Sequence, residues 1–394
     1  MRRIITASLF IILILCGCGN QEVPPSPDPS PPALAASPAL AASPSAASPE
    51  SSSDEGRQKP QKMIKQLNQI LAKGETVAVL QEKNSLSFVQ KEQEKNKVYR
   101  LDLKTGGIEK NELSCSLAGR CEVQKTEDHI VFYTSGEKVI IMDRSFQFVD
   151  ELMIKDKILD GMSRNFCVLP KDKKIVYTKV RLKNGECYQE VNECDYSGRD
   201  KRQICRIEGA MKSVGELNWI GKLNVSENEK ILYFTGLYYK SKNEDETSLP
   251  CFGKISRDTG KVTAVQEEKY FGQLMGNKMM FVDGLREKGV TPSGYITCLD
   301  ENGRQEKCAF QRKEESQEVI VSDEGNDYLS YEKMDDERRT KVSGYSFQKN
   351  TFQWKKELPH YVSEIWYFEQ SEMLLYTYYD DEGNLYLDGE VIGG

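Results

Sequence analysis

Seven short apolar segments recur along most of the chain, and their spacing limits the architecture more than any other feature. They are 86–89, 129–133, 174–177, 230–234, 278–282, 327–331 and 373–376, with first residues 43 to 56 positions apart. Each is rich in β-branched and aromatic residues, which suit a pleated, half-buried strand. A second strand follows each one and leads into a polar turn. Those turns include Leu103–Gly106, Asp195–Gly198, Asp258–Gly260, Asp300–Gly303 and Asp388-Gly389. A further strand then follows, as at Lys201–Ile207 and Lys261–Val265. One such sheet cannot cover both its faces. Stacked face to face around an axis, the sheets cover one another, and ring closure leaves only short edges. The pattern predicts an all-β fold, a β-propeller of seven blades over residues 75–394, with six or eight also compatible. A pair of β-sandwiches is the competing architecture, and it gives no reason for so regular a recurrence.

The repeat is clearest at Val98-Tyr99-Arg100-Leu101-Asp102-Leu103-Lys104-Thr105-Gly106. An apolar strand followed by Tyr-x-x-Asp-x-x-x-Gly and another strand resembles the propeller repeats of TolB-like and WD-type proteins. The resemblance spans 76–394 and implies the same fold. The Gly-His and Trp-Asp landmarks of WD repeats are absent.

The other end of the chain fixes its topology. Met1-Arg2-Arg3 precedes an apolar run from Ile4 to Leu15, and Leu15-Cys16-Gly17-Cys18 closes it. A charged start, a short apolar core and small residues at its end read as a secretory signal. Twelve residues cover only about 18 Å as a helix, short of the ~30 Å core of a bilayer. The closing residues resemble a bacterial lipobox. That resemblance implies cleavage before Cys18, residues 1–17 leaving as a signal peptide, and lipidation of the Cys18 thiol. It places the chain on the outer face of the plasma membrane, or on the outer membrane of a Gram-negative cell.

Residues 18–60 read as a tether. Ten of the fourteen prolines lie within 21–60, mixed with Ala and Ser, and such a segment buries too little apolar surface to offset chain entropy. Its reach is at most roughly 120 Å. Residues 61–74 read as a lead-in helix, with Met63, Ile64, Leu67, Ile70 and Leu71 on one face and Gly74 ending it. A chain starting at Thr76 is therefore expected to fold, and one ending near Leu358 is not. The formal charge is −7, and loss of Arg2 and Arg3 makes it about −9. An acidic body argues against nucleic acid and against electrostatic adhesion to anionic lipid, so attachment falls to Cys18.

Nine cysteines remain after Cys16 and Cys18, an odd number in a compartment that permits disulfides. Three pairs flank turns: Cys298 with Cys308, Cys194 with Cys205, and Cys115 with Cys121. A three-residue loop at 302–304 would set Cys298 opposite Cys308, whereas a two-residue Asn302-Gly303 loop would send the sulfurs to opposite faces. Small buried thiols are the alternative for all three.

Motifs for chemistry are sparse. The sequence has no phosphate-cradling Gly-rich run, no Cys-x-x-Cys and no His-Glu-x-x-His, so no metal or other cofactor is expected. Gly161–Asn165 opens like a nucleophile elbow without its closing Gly. His129 begins a strand and His360 follows Pro359. The acidic runs 244–246, 335–337 and 380–382 read as solvated turns, although carboxylates from different blades could meet near the axis for glycan chemistry. Trp219, Trp354, Trp366, Tyr238 and Tyr239 suit either packing between blades or stacking on a ligand. The reading is a monomeric binding or scaffolding module for an extracellular protein, peptide or glycan. A surface glycan-active hydrolase or lyase is the rival, and an envelope-assembly role is a third option by fold analogy alone.

Overall fold

In the computed structural model the chain is described over 53–392, except 118, 135–137, 155–164, 184–185, 208–216, 240–247, 266–268, 276, 284–295, 309–316, 326, 335–337, 347–348 and 350. The strands form seven antiparallel sheets in chain order, at 75–112, 122–153, 166–207, 217–265, 269–308, 317–358 and 362–391. Sheets 1 to 6 have four strands each and sheet 7 has three, and every strand pairs with its chain neighbour. First strands of neighbouring sheets lie side by side between sheets 1 and 2, 3 and 4, 5 and 6, and 6 and 7. They are the inner strands around the axis, and the fold is a β-propeller.

The seven apolar segments are the second strands of the seven sheets. The reason is burial on both faces. Ser85–Glu92 has six successive buried residues, whereas the outer strand Gly107–Glu112 of the same sheet is exposed from Glu109 onward. Adjacent sheets share apolar cores. Val89, Ile130 and Phe132 join sheets 1 and 2; Val131, Ile175 and Tyr177 join sheets 2 and 3; Val176, Leu232 and Phe234 join sheets 3 and 4. Tyr233, Phe252, Met279 and Leu299 join sheets 4 and 5, and Leu329, Tyr331, Ile365 and Tyr376 join sheets 6 and 7.

Recurrent turns share one device. At Asp195, Asp300 and Asp380 a three-residue loop ends in a left-handed glycine, Gly198, Gly303 or Gly383, and the Asp carboxylate accepts the backbone N–H four residues on. Asp143 does the same with Phe146 in the left-handed position. This is the Asx-stabilised hairpin that Asp-x-x-Gly encodes. Asp388-Gly389 is an exception to the sequence reading, because it lies inside the last strand, Leu385–Val391, and the turn of sheet 7 is at 380–384.

The helix spans Ser53–Leu71, so it starts inside the stretch read as tether and runs through Pro60. Met63, Ile64, Leu67 and Leu71 are buried against Leu86, Phe88 and Leu101 of sheet 1 and Trp366, Phe368 and Leu387 of sheet 7. The helix is therefore part of the seam that closes the ring, and a chain starting at Thr76 would lose it. Asn68 fixes it to the outer strand of sheet 7, donating to Leu387 O at 2.8 Å and accepting from Leu387 N at 2.7 Å. Gly389 leaves room for this approach, since a Cβ there would lie 2.5 Å from Leu375 Cδ2 and 3.1 Å from Ile64 Cδ1.

Leu67 is fully buried in the seam. We expect Leu67→Ala to cost about 2–5 kcal/mol through lost burial and the cavity left behind. Denaturant unfolding measures it, and a loss below roughly 1 kcal/mol would show the helix to be peripheral.

Candidate functional site

The central opening has two ends, one where the inner strands begin and one where they turn into the second strands. At the first end, ion pairs reach past the adjacent sheet. Arg120 meets Glu364 of sheet 7 at 2.5 Å, and Lys222 of sheet 4 meets Glu122 of sheet 2 at 3.0 Å. Side-chain amides stitch inner strands together along the wall: Gln81 donates to Tyr367 O, Gln124 to Val168 O and Asn165 to Gly221 O. The Lys125 ammonium donates to Gln81 O at 2.6 Å, and burial pulls its pKa down despite nearby Glu227 and Glu82.

At the turn end, Glu127 N donates to Glu227 O across sheet 3 at 2.8 Å. The Asp323 carboxylate accepts from Asn84 N at 2.9 Å and from Glu369 N at 3.0 Å, tying sheets 6, 1 and 7 together. Desolvation raises its pKa even against those two donors. The most perturbed carboxyl here is Glu229, in the first turn of sheet 4. It is 3 % exposed with backbone φ 61°. Its Oε1 accepts from Lys171 N at 3.2 Å, and its Oε2 has no hydrogen-bond partner among the described residues. Burial pushes its pKa up to about 7, Asp172 adds to the rise, and the Lys171 N–H, Arg257 and the Lys171 charge oppose it. Arg257 is occupied elsewhere, bonding Glu193 at 2.5 Å and pairing with Asp172.

A third place is a groove of about 550 Å³ between the helix and the outer strand of sheet 7. Gln61, Lys65 and Gln69 line the helix side, and Tyr386 and Asp388 the sheet side. Tyr386 ends a row of rings. It stacks on Tyr378 at 5.7 Å, and Tyr378 stacks on His360 at 3.7 Å with planes 1° apart. Tyr376 donates to the Asp388 carboxylate at 3.2 Å, so the sheet wall is held in place.

Few residues singled out in the sequence gather at these places. Trp354 packs on Tyr367, and Trp366 is edge-on to Phe88, both between sheets. Gly344 lies beneath the Trp354 indole, where a Cβ would come within 2.2 Å. The side chains of Trp219, Tyr238 and Tyr239 lie outside the described residues, as do 161–164, 244–246 and 335–337. His129 starts a strand, half-buried, with its backbone on Thr126. Tyr386 and the helix amides escaped the sequence reading because nothing local marks them. They meet only when the chain's two ends are brought together.

The cysteine pairs need correction. Cys205 stands opposite Val191, three residues from Cys194 on the same strand, so the two thiols point to opposite faces. Cys194 packs between sheets 2 and 3, and Cys205 between sheets 3 and 4. Neither loop proposed for Cys298 and Cys308 forms. The loop is 301–303, which sets Cys298 opposite Glu306 and Cys308 opposite Ile296. The register therefore makes the two cysteines diagonal rather than directly opposite, and the Cys308 side chain lies outside the described residues. Cys115 and Cys121 are unbridged, with Cys121 in the core of sheets 1 and 2 and Cys115 against it. Burial pushes the thiols of Cys121, Cys194 and Cys205 up to about 11.

No family model and no curated protein matches the chain. Among solved structures it is similar to an oligogalacturonate lyase from Vibrio parahaemolyticus, with TM-score 0.49 and 10 % identity over 79 % of this chain and 89 % of that one. It is similar to a eukaryotic initiation factor, with TM-score 0.43 and 8 % identity over 81 % and 89 %. A prolyl endopeptidase matches with TM-score 0.45 and 10 % identity over 87 % of this chain and 56 % of that one. At these identities and scores the likenesses carry nothing about activity, and the fold rests on the stacked sheets themselves.

Glu229 gives a pH dependence of definite sign. Its folded pKa of about 7 lies above the usual 4.5, so between those values the native state holds the proton that the unfolded chain has lost. Its contribution to stability therefore falls as pH rises from 4.5 to 7. Glu229→Gln keeps the oxygen that Lys171 N needs. We expect it to remove this slope and to add roughly 2 kcal/mol above neutrality. Thermal melts of both proteins across that range check it; parallel curves would refute it.

Proposed function

We propose that this protein is a lipid-anchored β-propeller that works outside the plasma membrane as a binding module. The anchor is the Cys18 thioether, the tether is the Pro/Ala/Ser stretch that follows, and the propeller carries the ligand site. The acidic body supports this reading of attachment, because it offers no other means of holding an anionic surface. The observation that carries the binding reading is the groove between the helix and sheet 7. It is an open, largely apolar groove with the Tyr386 ring on one wall, and Gln61, Lys65, Gln69 and Asp388 in its lining can hydrogen-bond a ligand. Its partners are an extracellular protein, peptide or glycan, with no nucleic acid, and the propeller acts as a monomer.

The rival, a glycan-active enzyme, needs two carboxylates converging on one concave site. Of the carboxylates described at the two ends of the opening, Glu122, Glu364 and Glu193 pair with cations and Asp323 accepts from backbone N–H groups; Glu229 keeps one unpaired oxygen, but its neighbour Asp172 is paired with Arg257. Incubation with envelope glycans separates the two readings. A binding module returns the oligosaccharide intact; shortened products would favour the enzyme.

For the anchor, we expect cells fed an alkyne-tagged fatty acid to label the wild-type chain and not Cys18→Ala. Equal labelling of the two would overturn lipidation at Cys18. This readout is independent of whether an uncleaved leader still holds the variant at the membrane.

A further inference from the structure

We propose that the groove between the helix and the outer strand of sheet 7 binds a short chain of N-acetylated hexosamines, an inference that rests on the binding-module reading. The groove, at about 550 Å³, falls within the range of small-molecule sites and has room for more than one sugar ring. Its walls are set before any ligand arrives. Asn68 locks the helix to Leu387 with two hydrogen bonds, and Asp388 takes hydrogen bonds from Tyr376 and from Gly389 N at 2.8 Å. A preformed site loses little conformational freedom on binding.

The chemistry of the lining selects the ligand. Tyr386 is held by the ring row behind it, so it offers a fixed apolar surface to the C–H face of a pyranose. Gln61, Lys65 and Gln69 are spaced by four, in one stripe along the helix, and all three are exposed. Two amides in such a stripe can both donate and accept, which matches hydroxyl and acetamido groups. Ile64 and Ala72 give an apolar patch beside them that suits the acetamido methyl. Lys65 and Asp388 carry opposite charges on opposite walls, so the groove as a whole favours a neutral ligand over an acidic or basic one.

Calorimetry on the detergent-purified full-length protein tests this, using β-1,4-linked trisaccharides of N-acetylglucosamine and of glucose. These probes share ring and linkage and differ in the acetamido group. We expect the N-acetylated trisaccharide to bind roughly tenfold or more tightly than the glucose one. Tyr386→Ala should weaken it by at least about tenfold, and Gln69→Ala, on an exposed helix face where folding is not at risk, by a smaller factor. Tyr379→Ala, on the neighbouring strand and outside the groove, should leave it unchanged. Equal affinity for the two trisaccharides would overturn the acetamido assignment. Unchanged binding in both Tyr386→Ala and Gln69→Ala would overturn the groove while leaving a binding module. No binding of either sugar at about 10 mM would overturn the saccharide class. None of these outcomes alters the fatty-acid labelling that tests the anchor.

Discussion

The seam where sheet 7 meets sheet 1 is the contact on which the rest of the ring depends. Among the described residues sheet 7 has three strands, all from 362–391, and none from the first sheet joins it. Closure relies on a shared apolar core, on the helix that covers it, and on Asp323, whose carboxylate takes one N–H from each of two sheets. Every other interface joins sheets adjacent in sequence, where the connecting loop limits the entropy of meeting. Only this one joins the ends of the fold, so its contacts must offset the largest loop-closure term. Burial of Leu67, Phe88, Phe368 and Leu387 supplies that, at roughly 1.5–3 kcal/mol for each fully buried side chain.

Outer edges show a second constraint. An unpaired strand edge invites pairing with another chain. On the outer strand of sheet 7, Asn68 occupies the N–H and C=O of Leu387, and the Asp388 carboxylate takes Gly389 N. On the outer strand of sheet 2, which exposes Phe148, Val149 and Met153, Asp150 takes Glu151 N in the same way. A carboxylate one residue before an edge N–H thus blunts a strand that its side chains alone would leave sticky. Charged clusters at the turn end act between sheets. The guanidinium of Arg257 joins Glu193 and Asp172, both in sheet 3, to the third turn of sheet 4.

The fold was legible because its signal lies in one strand type. Second strands are covered on both faces, so they read as apolar runs at a regular period, and each of the seven marked one sheet. First and outer strands have a polar face and were harder to see. The helix start was missed because Ser53 to Pro60 has a tether's composition, and Pro60 is tolerated in the helix it joins. The Asp388-Gly389 pair looked like a turn, yet Gly389 lies within a strand where a Cβ would crowd Leu375, the Leu374 carbonyl and Ile64. Pairing of Cys298 with Cys308 depended on a loop one residue out of register, which local sequence could not fix. The candidate site was not legible at all, since Gln69 and Tyr386 are joined only by ring closure.

That last point links stability to binding. The helix that closes the ring is also one wall of the groove, and Asn68 on that helix sets the distance to the other wall. A ligand that touches both walls binds the closed ring and not the opened one, so it stabilises closure by mass action. The converse holds by the same linkage. Leu67 faces the seam, away from Gln61, Lys65 and Gln69, yet loosening it releases the wall those residues stand on. Occupancy of the groove and integrity of the seam are therefore one equilibrium. The element that forms one wall of the groove is thus also the element that holds the propeller shut.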